Sequence, residues 1–228
     1  MNLFYFALIL SAFSLLTTLL FYIACSTIDA DGYKTIFRSC IICTTSFVNA
    51  LLLAAIVGHW CAALPALCCS LAIIKKISTH RFFHVMISYF NFILPLSSIV
   101  IMPGVVLFLF TLLLHPFCFF KLNFTKIKSL TFEWRYANFL THGGIIKIKS
   151  GYSGFNMGCC TFVNQHDATL NKHEYGHQLN LAVLGGWFHY IGAIDENYIQ
   201  ANPSKAYAEL VADSIGHPSN FEHSIWSI

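Results

Sequence analysis

The chain has 228 residues, of which 57% are hydrophobic and only 10% charged, with a formal net charge of +3. Soluble domains carry about 25% charged residues, so an ordinary soluble fold is disfavoured. Nucleic acid is not an expected partner either, because no basic run interleaved with aromatics supplies the electrostatic footprint it needs.

Charge is unevenly placed. Residues 1–120 contain two carboxylates, Asp29 and Asp31, whereas all five glutamates and the other three aspartates follow residue 130. This pattern predicts a membrane region over residues 1–120 and a polar domain over 121–228, with the lipid bilayer as a partner. Residues 3–25 are uncharged and, at about 1.5 Å per residue, long enough to cross a hydrocarbon core of about 30 Å. A signal peptide would carry a positive start, which Met1-Asn2 does not supply. A retained transmembrane helix is expected.

Residues 41–74 and 87–120 are also uncharged and too long for single crossings without strong tilt. Gly58-His59-Trp60 followed by Pro65 interrupts the first, and Pro103-Gly104 the second. Each is expected to form a helical hairpin. One helix and two hairpins put Lys34, Arg38, Lys75, Lys76, Arg81 and the lysines from 121 onward on one side. By the positive-inside tendency that side is cytoplasmic. The expected location is therefore a multi-pass membrane protein with its polar domain in the cytoplasm.

Seven of the nine cysteines (Cys25, Cys40, Cys43, Cys61, Cys68, Cys69 and Cys118) lie in or beside apolar stretches, where they serve as small packing residues. Cys40 and Cys43 lack a second pair at zinc-finger spacing. Adjacent Cys159 and Cys160 would face opposite sides of a strand. His59, His80, His84 and His115 flank or interrupt the apolar segments, with no paired spacing that suggests a metal pathway.

After Lys121 the pattern changes. Residues 143–163 alternate and are punctuated by glycines, which predicts short strands and turns. The stretch from Gly154 to Phe162 could pair with an extended substrate as an exposed edge does, or its glycines could be plain turn residues. Asp167 stands at an N-cap position ahead of ATLNKHEYGHQLNLAVL, a helix of about five turns ending at Gly185-Gly186. GGWFHYIGAI (185–194) then suits either the membrane surface or a hydrophobic core.

His173 and His177 are i and i+4 on that helix, so both rings can reach one metal ion. Glu174 can turn toward a water on that ion. His-Glu-x-x-His is a zinc-peptidase signature that still needs a third ligand. AYAELVADSIG offers Glu209, with Asp213 four residues later to accept a hydrogen bond from a ligand histidine such as His173. The histidine-ligand alternative is absent, since the glycine and histidine positions three and six residues past His177 hold Asn180 and Val183.

His173-Glu174-Tyr175-Gly176-His177 with Glu209-Leu210-Val211-Ala212-Asp213 resembles the gluzincin zinc metallopeptidases, over roughly residues 150–216. The form is similar to membrane-integrated members, the CAAX prenyl protease and heat-shock protease HtpX group, and to small bacterial membrane proteins with HEYGH. The resemblance implies a multi-pass α-helical membrane region followed by a small α+β zincin-like domain. It implies Zn2+ held by His173, His177 and Glu209, with Glu174 as catalytic base and Asp213 behind a ligand histidine. The expected activity is hydrolysis of a protein or peptide substrate, including membrane-associated ones, by a zinc-activated water.

A second electrophile could come from His189, Tyr190, Tyr198, Tyr207, His217 or Arg135, and the sequence does not choose among them. A membrane sensor that keeps a zinc-binding fold without turnover is the competing function. A transporter is disfavoured because residues 41–120 hold no acid.

Overall fold

Helix α1 (Leu3–Thr27) is built inside out relative to a soluble helix. It buries Ser14, Thr18, Tyr22 and Cys25 along one stripe and exposes Ile9, Leu16, Leu20 and Ile23. Small and polar side chains inside, with leucines outside, is the pattern of helices packed in lipid. The computed structural model describes residues 2–114, 120–122, 132–136, 154–158, 160–163 and 168–216. Helix α2 (Asp31–Val57) packs against α1, and the described residues are mostly helical. Both α1 and α2 are long and apolar enough to cross a membrane, consistent with a membrane protein.

The first expected break is where α2 ends. Gly58 takes a left-handed conformation (φ 76°) and its N–H returns to the Ala54 carbonyl at 2.9 Å, a conformation glycine adopts without steric cost. Short pieces follow: 3-10 turns at Trp60–Ala63 and Ser70–Ile73, around α3 (Leu64–Cys69), then α4 (Lys75–Ser78) and α5 (Arg81–Phe90). The histidines here serve the backbone. His59 Nδ1 accepts the Cys61 N–H at 3.1 Å and His80 Nδ1 accepts the Phe82 N–H at 3.2 Å. His84 Nε2 lies 2.5 Å from the Ser78 carbonyl oxygen.

The second break is not where it was expected. Helix α6 (Pro95–Leu114) runs straight through Pro103 and Gly104, and the chain instead bends by 75° between α5 and α6. Proline at 103 cannot donate to the Ile99 carbonyl one turn back, and Tyr190 supplies the missing hydrogen, its hydroxyl donating to that oxygen at 2.7 Å. Gly104 leaves room for another strand, since a Cβ there would lie 2.5 Å from the Met157 carbonyl oxygen. At the actual break, Asn91 Nδ2 donates to the Gln178 carbonyl at 2.8 Å and the Leu96 N–H donates to Asn49 Oδ1 at 2.8 Å.

Among the described residues, four short strands form one sheet in the order β1-β2-β4-β3. They are β1 (Phe120–Leu122), β2 (Phe132–Tyr136), β3 (Gly154–Met157) and β4 (Cys160–Val163). The expected strand content of 143–163 is seen at β3 and β4, which pair antiparallel; β1 and β2 fall outside the stretch whose alternation suggested strands. Strand β2 runs parallel to β4, leaving β3 at an edge.

Helix α7 (Ala168–Ile194) and α8 (Tyr207–Gly216) follow, with a π-helical turn (Asp195–Ile199) and a 3-10 turn (Pro203–Lys205) between them. They share a core with the apolar helices: Leu179, Ala182, Val183 and Phe188 join Tyr22, Ile41, Ile42, Leu53 and Ile87. GGWFHYIGAI thus contributes to a buried core, through Phe188. Asp167, His115, Cys118, Cys159 and His217 lie outside the described residues, and β2 is described for Arg135 through its backbone.

Helix α7 is two pieces joined at Gly185, whose φ of 83° and ψ of 169° lie outside any helix. The carbonyls that lose helical partners at this break are taken up by neighbours. Ser97 Oγ donates to the Leu181 oxygen at 3.2 Å and Thr45 Oγ1 to the Leu184 oxygen at 3.0 Å. The helix therefore stops at the expected Gly185-Gly186 pair, and a second piece begins directly afterwards.

Candidate metal centre

The first piece of α7 carries His173 and His177 one turn apart, and Gly176 between them sets how closely α8 can approach. A Cβ on Gly176 would run into the Ala212 carbonyl, so the two helices touch backbone to backbone at the motif. That contact brings Glu209 and Asp213, themselves i and i+4 on α8, over the two imidazoles.

The geometry follows the expected pairing. His173 Nε2 lies 3.0 Å from Glu209 Oε2, and His177 Nε2 lies 3.2 Å from Glu209 Oε1. The two Nε2 atoms are 3.0 Å apart. His173 Nδ1 meets Asp213 Oδ1 at 2.7 Å, so Asp213 orients the ring whose other nitrogen faces Glu209. One donor atom from each of His173, His177 and Glu209 lies within 4.8 Å of the others, a group that could hold a metal ion.

Two imidazole nitrogens and a carboxylate oxygen suit zinc, whose bonds of about 2.0–2.1 Å set tetrahedral donors about 3.3 Å apart. The observed separations lie close to that edge. Glu174 adds a second point of fit. It is 3% exposed and its Oε2 has no hydrogen-bond partner among the described residues, a costly arrangement for a carboxylate unless something polar faces it.

Charge is shared unevenly across the cluster. Burial pushes the His173 imidazole down, but hydrogen bonds to Asp213 and Glu209 outweigh it and lift it to about 10. His177 is likewise driven down by burial yet held up overall, by Glu209. Burial pushes Glu209 up, and the two histidines more than reverse this, holding it well below the usual carboxylate range. Glu174 moves the other way, because burial raises it more than the histidines lower it.

Of the candidates for a second electrophile, the structure brings His189 to the cluster. Residues twelve apart in a straight helix are separated by about 18 Å along its axis. The break at Gly185 folds the second piece of α7 back, so the His189 and His177 rings stand 6.1 Å apart. Burial drives His189 down to about 4, with His177 adding to the effect and a hydrogen bond to the Asn156 backbone opposing it. His189 is neutral at physiological pH. Tyr190 is committed to Ile99, Tyr198 is exposed, and the Tyr207 hydroxyl meets Arg38.

Asn156 is a participant that sequence reasoning missed. On β3 it donates from Nδ2 to the Glu174 carbonyl at 3.2 Å, and its backbone meets His189. One edge-strand residue thus ties together both pieces of α7. Its only signal was membership of an alternating segment.

No protein-family model, curated protein or solved structure matches the chain. A His-His-Glu cluster does not by itself identify a family.

Proposed function

We propose that the chain is a multi-pass integral-membrane endopeptidase of gluzincin type. In this reading His173, His177 and Glu209 hold zinc in a small α+β zincin-like arrangement seated on the membrane helices, on the cytoplasmic side. The observation that carries it is the convergence of those three donors, with the adjoining Glu174 buried and its Oε2 unpartnered among the described residues.

Zinc, when bound, supplies Lewis acidity that makes water a nucleophile near neutral pH. The chain's own residues do the rest. Glu174 Oε2 accepts the water's proton, a task suited to a carboxyl whose proton affinity is raised by burial. The same oxygen then delivers a proton to the departing amine of a protein or peptide substrate. Asp213 holds the His173 ring so that Nε2 stays directed at the ligand position. His189, its ring 6.1 Å from that of His177, borders the ligand position.

The burial of the cluster also favours a second reading, a membrane sensor that holds the metal without turnover. The side chains of His173, His177 and Glu209 are only 19%, 13% and 13% exposed, a narrow opening for an extended peptide.

Metal content and hydrolysis of an unstructured protein by the detergent-purified chain, beside Glu174→Gln, separates these. One zinc per chain in both proteins, with hydrolysis lost in the mutant, is the expected result. Zinc in both with hydrolysis in neither supports the sensor. If neither protein takes up zinc, both readings fail.

A further inference from the structure

Glu209 is delivered by a short helix, and that helix is fastened at its start by a membrane segment. The first-turn N–H groups of α8 have no intrahelical acceptors. The Tyr207 N–H donates to Asp195 Oδ2 at 3.3 Å, and the Ala208 N–H donates to the Tyr22 hydroxyl oxygen at 3.2 Å. That same hydroxyl donates to Asp195 Oδ2 at 2.8 Å. Tyr22 therefore gives one hydrogen bond and receives another, which fixes its hydroxyl between α7's end and α8's start.

The surroundings hold this junction rigidly. Asp195 and Tyr22 are 4% and 3% exposed. Gln200 Nε2 occupies the other Asp195 oxygen at 2.9 Å. Asp195 opens the π-helical turn, an uncommon geometry that often marks functional positions. The Tyr22 ring meets Phe188 and Tyr207 edge-on at 5.3 and 5.6 Å, and Arg38 of α2 donates to the Tyr207 hydroxyl at 3.3 Å. Glu209 follows Ala208 directly, and its two carboxylate oxygens must each reach a different histidine at 3.0 and 3.2 Å. Ligand geometry tolerates little displacement of the element that carries it.

We propose that Tyr22 and Asp195 are positioning residues for the metal ligand Glu209, so that helix α1 sets the quality of the metal site. This rests on the reading that His173, His177 and Glu209 hold a metal ion. Neither residue is itself a ligand; each acts through the first turn of α8.

Cobalt(II) is the probe, because its visible absorption reports both occupancy and coordination geometry. The full chain in detergent is stripped with a chelator and titrated with Co2+, as wild type, Tyr22→Phe, Asp195→Asn and Tyr5→Phe. Tyr22→Phe removes both hydroxyl bonds, and is expected to weaken Co2+ binding about tenfold or more and to change the band intensity. Asp195→Asn keeps an acceptor oxygen and is expected to show a smaller shift in the same direction. Tyr5→Phe, exposed on the same helix, is expected to match wild type. A purely structural anchor would lower the melting temperature of folded Tyr22→Phe while leaving affinity and spectrum unchanged, and that result overturns the proposal. If Tyr22→Phe does not fold, wild-type affinity and spectrum in Asp195→Asn overturn it instead. Failure of wild type to bind Co2+ overturns the metal reading itself, and the proposal falls with it.

Discussion

Helices α1 and α7 are of similar length, and both are rich in apolar residues, yet they use them in opposite ways. Helix α1 turns its leucines outward and meets the rest of the molecule through Ser14, Thr18, Tyr22 and Cys25. Every residue of α7 from Gln178 to Gly186 is buried, and its carbonyls at 174, 178, 181 and 184 each receive a side-chain donor from another element. One helix is held at a few points and leaves its leucines exposed; the other is determined from all sides. His173 and His177 sit on the second kind, as expected for candidate ligands whose separations must hold to within a fraction of an ångström.

The sharpest way to break that contrast is Gly185→Ala. The left-handed φ would become strained, and the new Cβ would lie 2.9 Å from the Thr45 side chain. The expected loss is about 3 kcal/mol in stability, with His189 drawn away from His177. Unfolding in detergent with near wild-type stability would show that the break is not enforced by its surroundings.

Tyr190→Phe comes next. It leaves the Ile99 carbonyl with neither its helical donor nor the hydroxyl, at an expected cost of about 1.5 kcal/mol. Restoring the helical donor with Pro103→Ala in the same chain should recover part of the loss, and denaturant unfolding of the double mutant checks this.

Proton linkage gives a third test. His173 is lifted from 6.5 to about 10, so its pairing with the carboxylates stabilises the stripped chain below about pH 6.5 and is lost as pH rises through about 10. Metal binding must displace that proton. Added Zn2+ should therefore stabilise the protein more at pH 9 than at pH 7, by about 1.4 kcal/mol per pH unit for each proton displaced. Melting temperatures with and without metal across that window would read it, and a pH-independent increment would contradict the assignment of His173 as a ligand.

The smallest effect is expected on α1's outer face. Leu16 is 57% exposed, and Leu16→Ala should shift stability by no more than about 0.5 kcal/mol. A larger loss would mean that another surface covers that face.

The meeting of His173, His177, Glu209 and Asp213 was legible because its parts are local. His173 with His177, and Glu209 with Asp213, are each one helical turn apart, and that periodicity holds wherever the helix lies. The apolar span of α1 was legible for the same reason, since length and composition alone decide whether a helix can cross a bilayer. The strands β1 and β2 were not, because short strands carry little periodic signal and take their partners from elsewhere in the chain.

Sequence by itself determined which side chains could meet on one helical face, and where glycine would permit a left-handed turn, as at Gly58 and Gly185. Only the tertiary structure decided which interruptions actually break a helix. Pro103 does not, because a hydroxyl 91 residues from Ile99 in sequence replaces its missing donor, whereas the unremarkable stretch 91–94 does, tied down by Asn49 and Gln178. It also decided that His189 returns to His177 and that Tyr22 of α1 meets the start of α8. The physical reason is common to all of these. A backbone group's partner can come from anywhere in the fold, and helix spacing constrains only the partners within a turn or two.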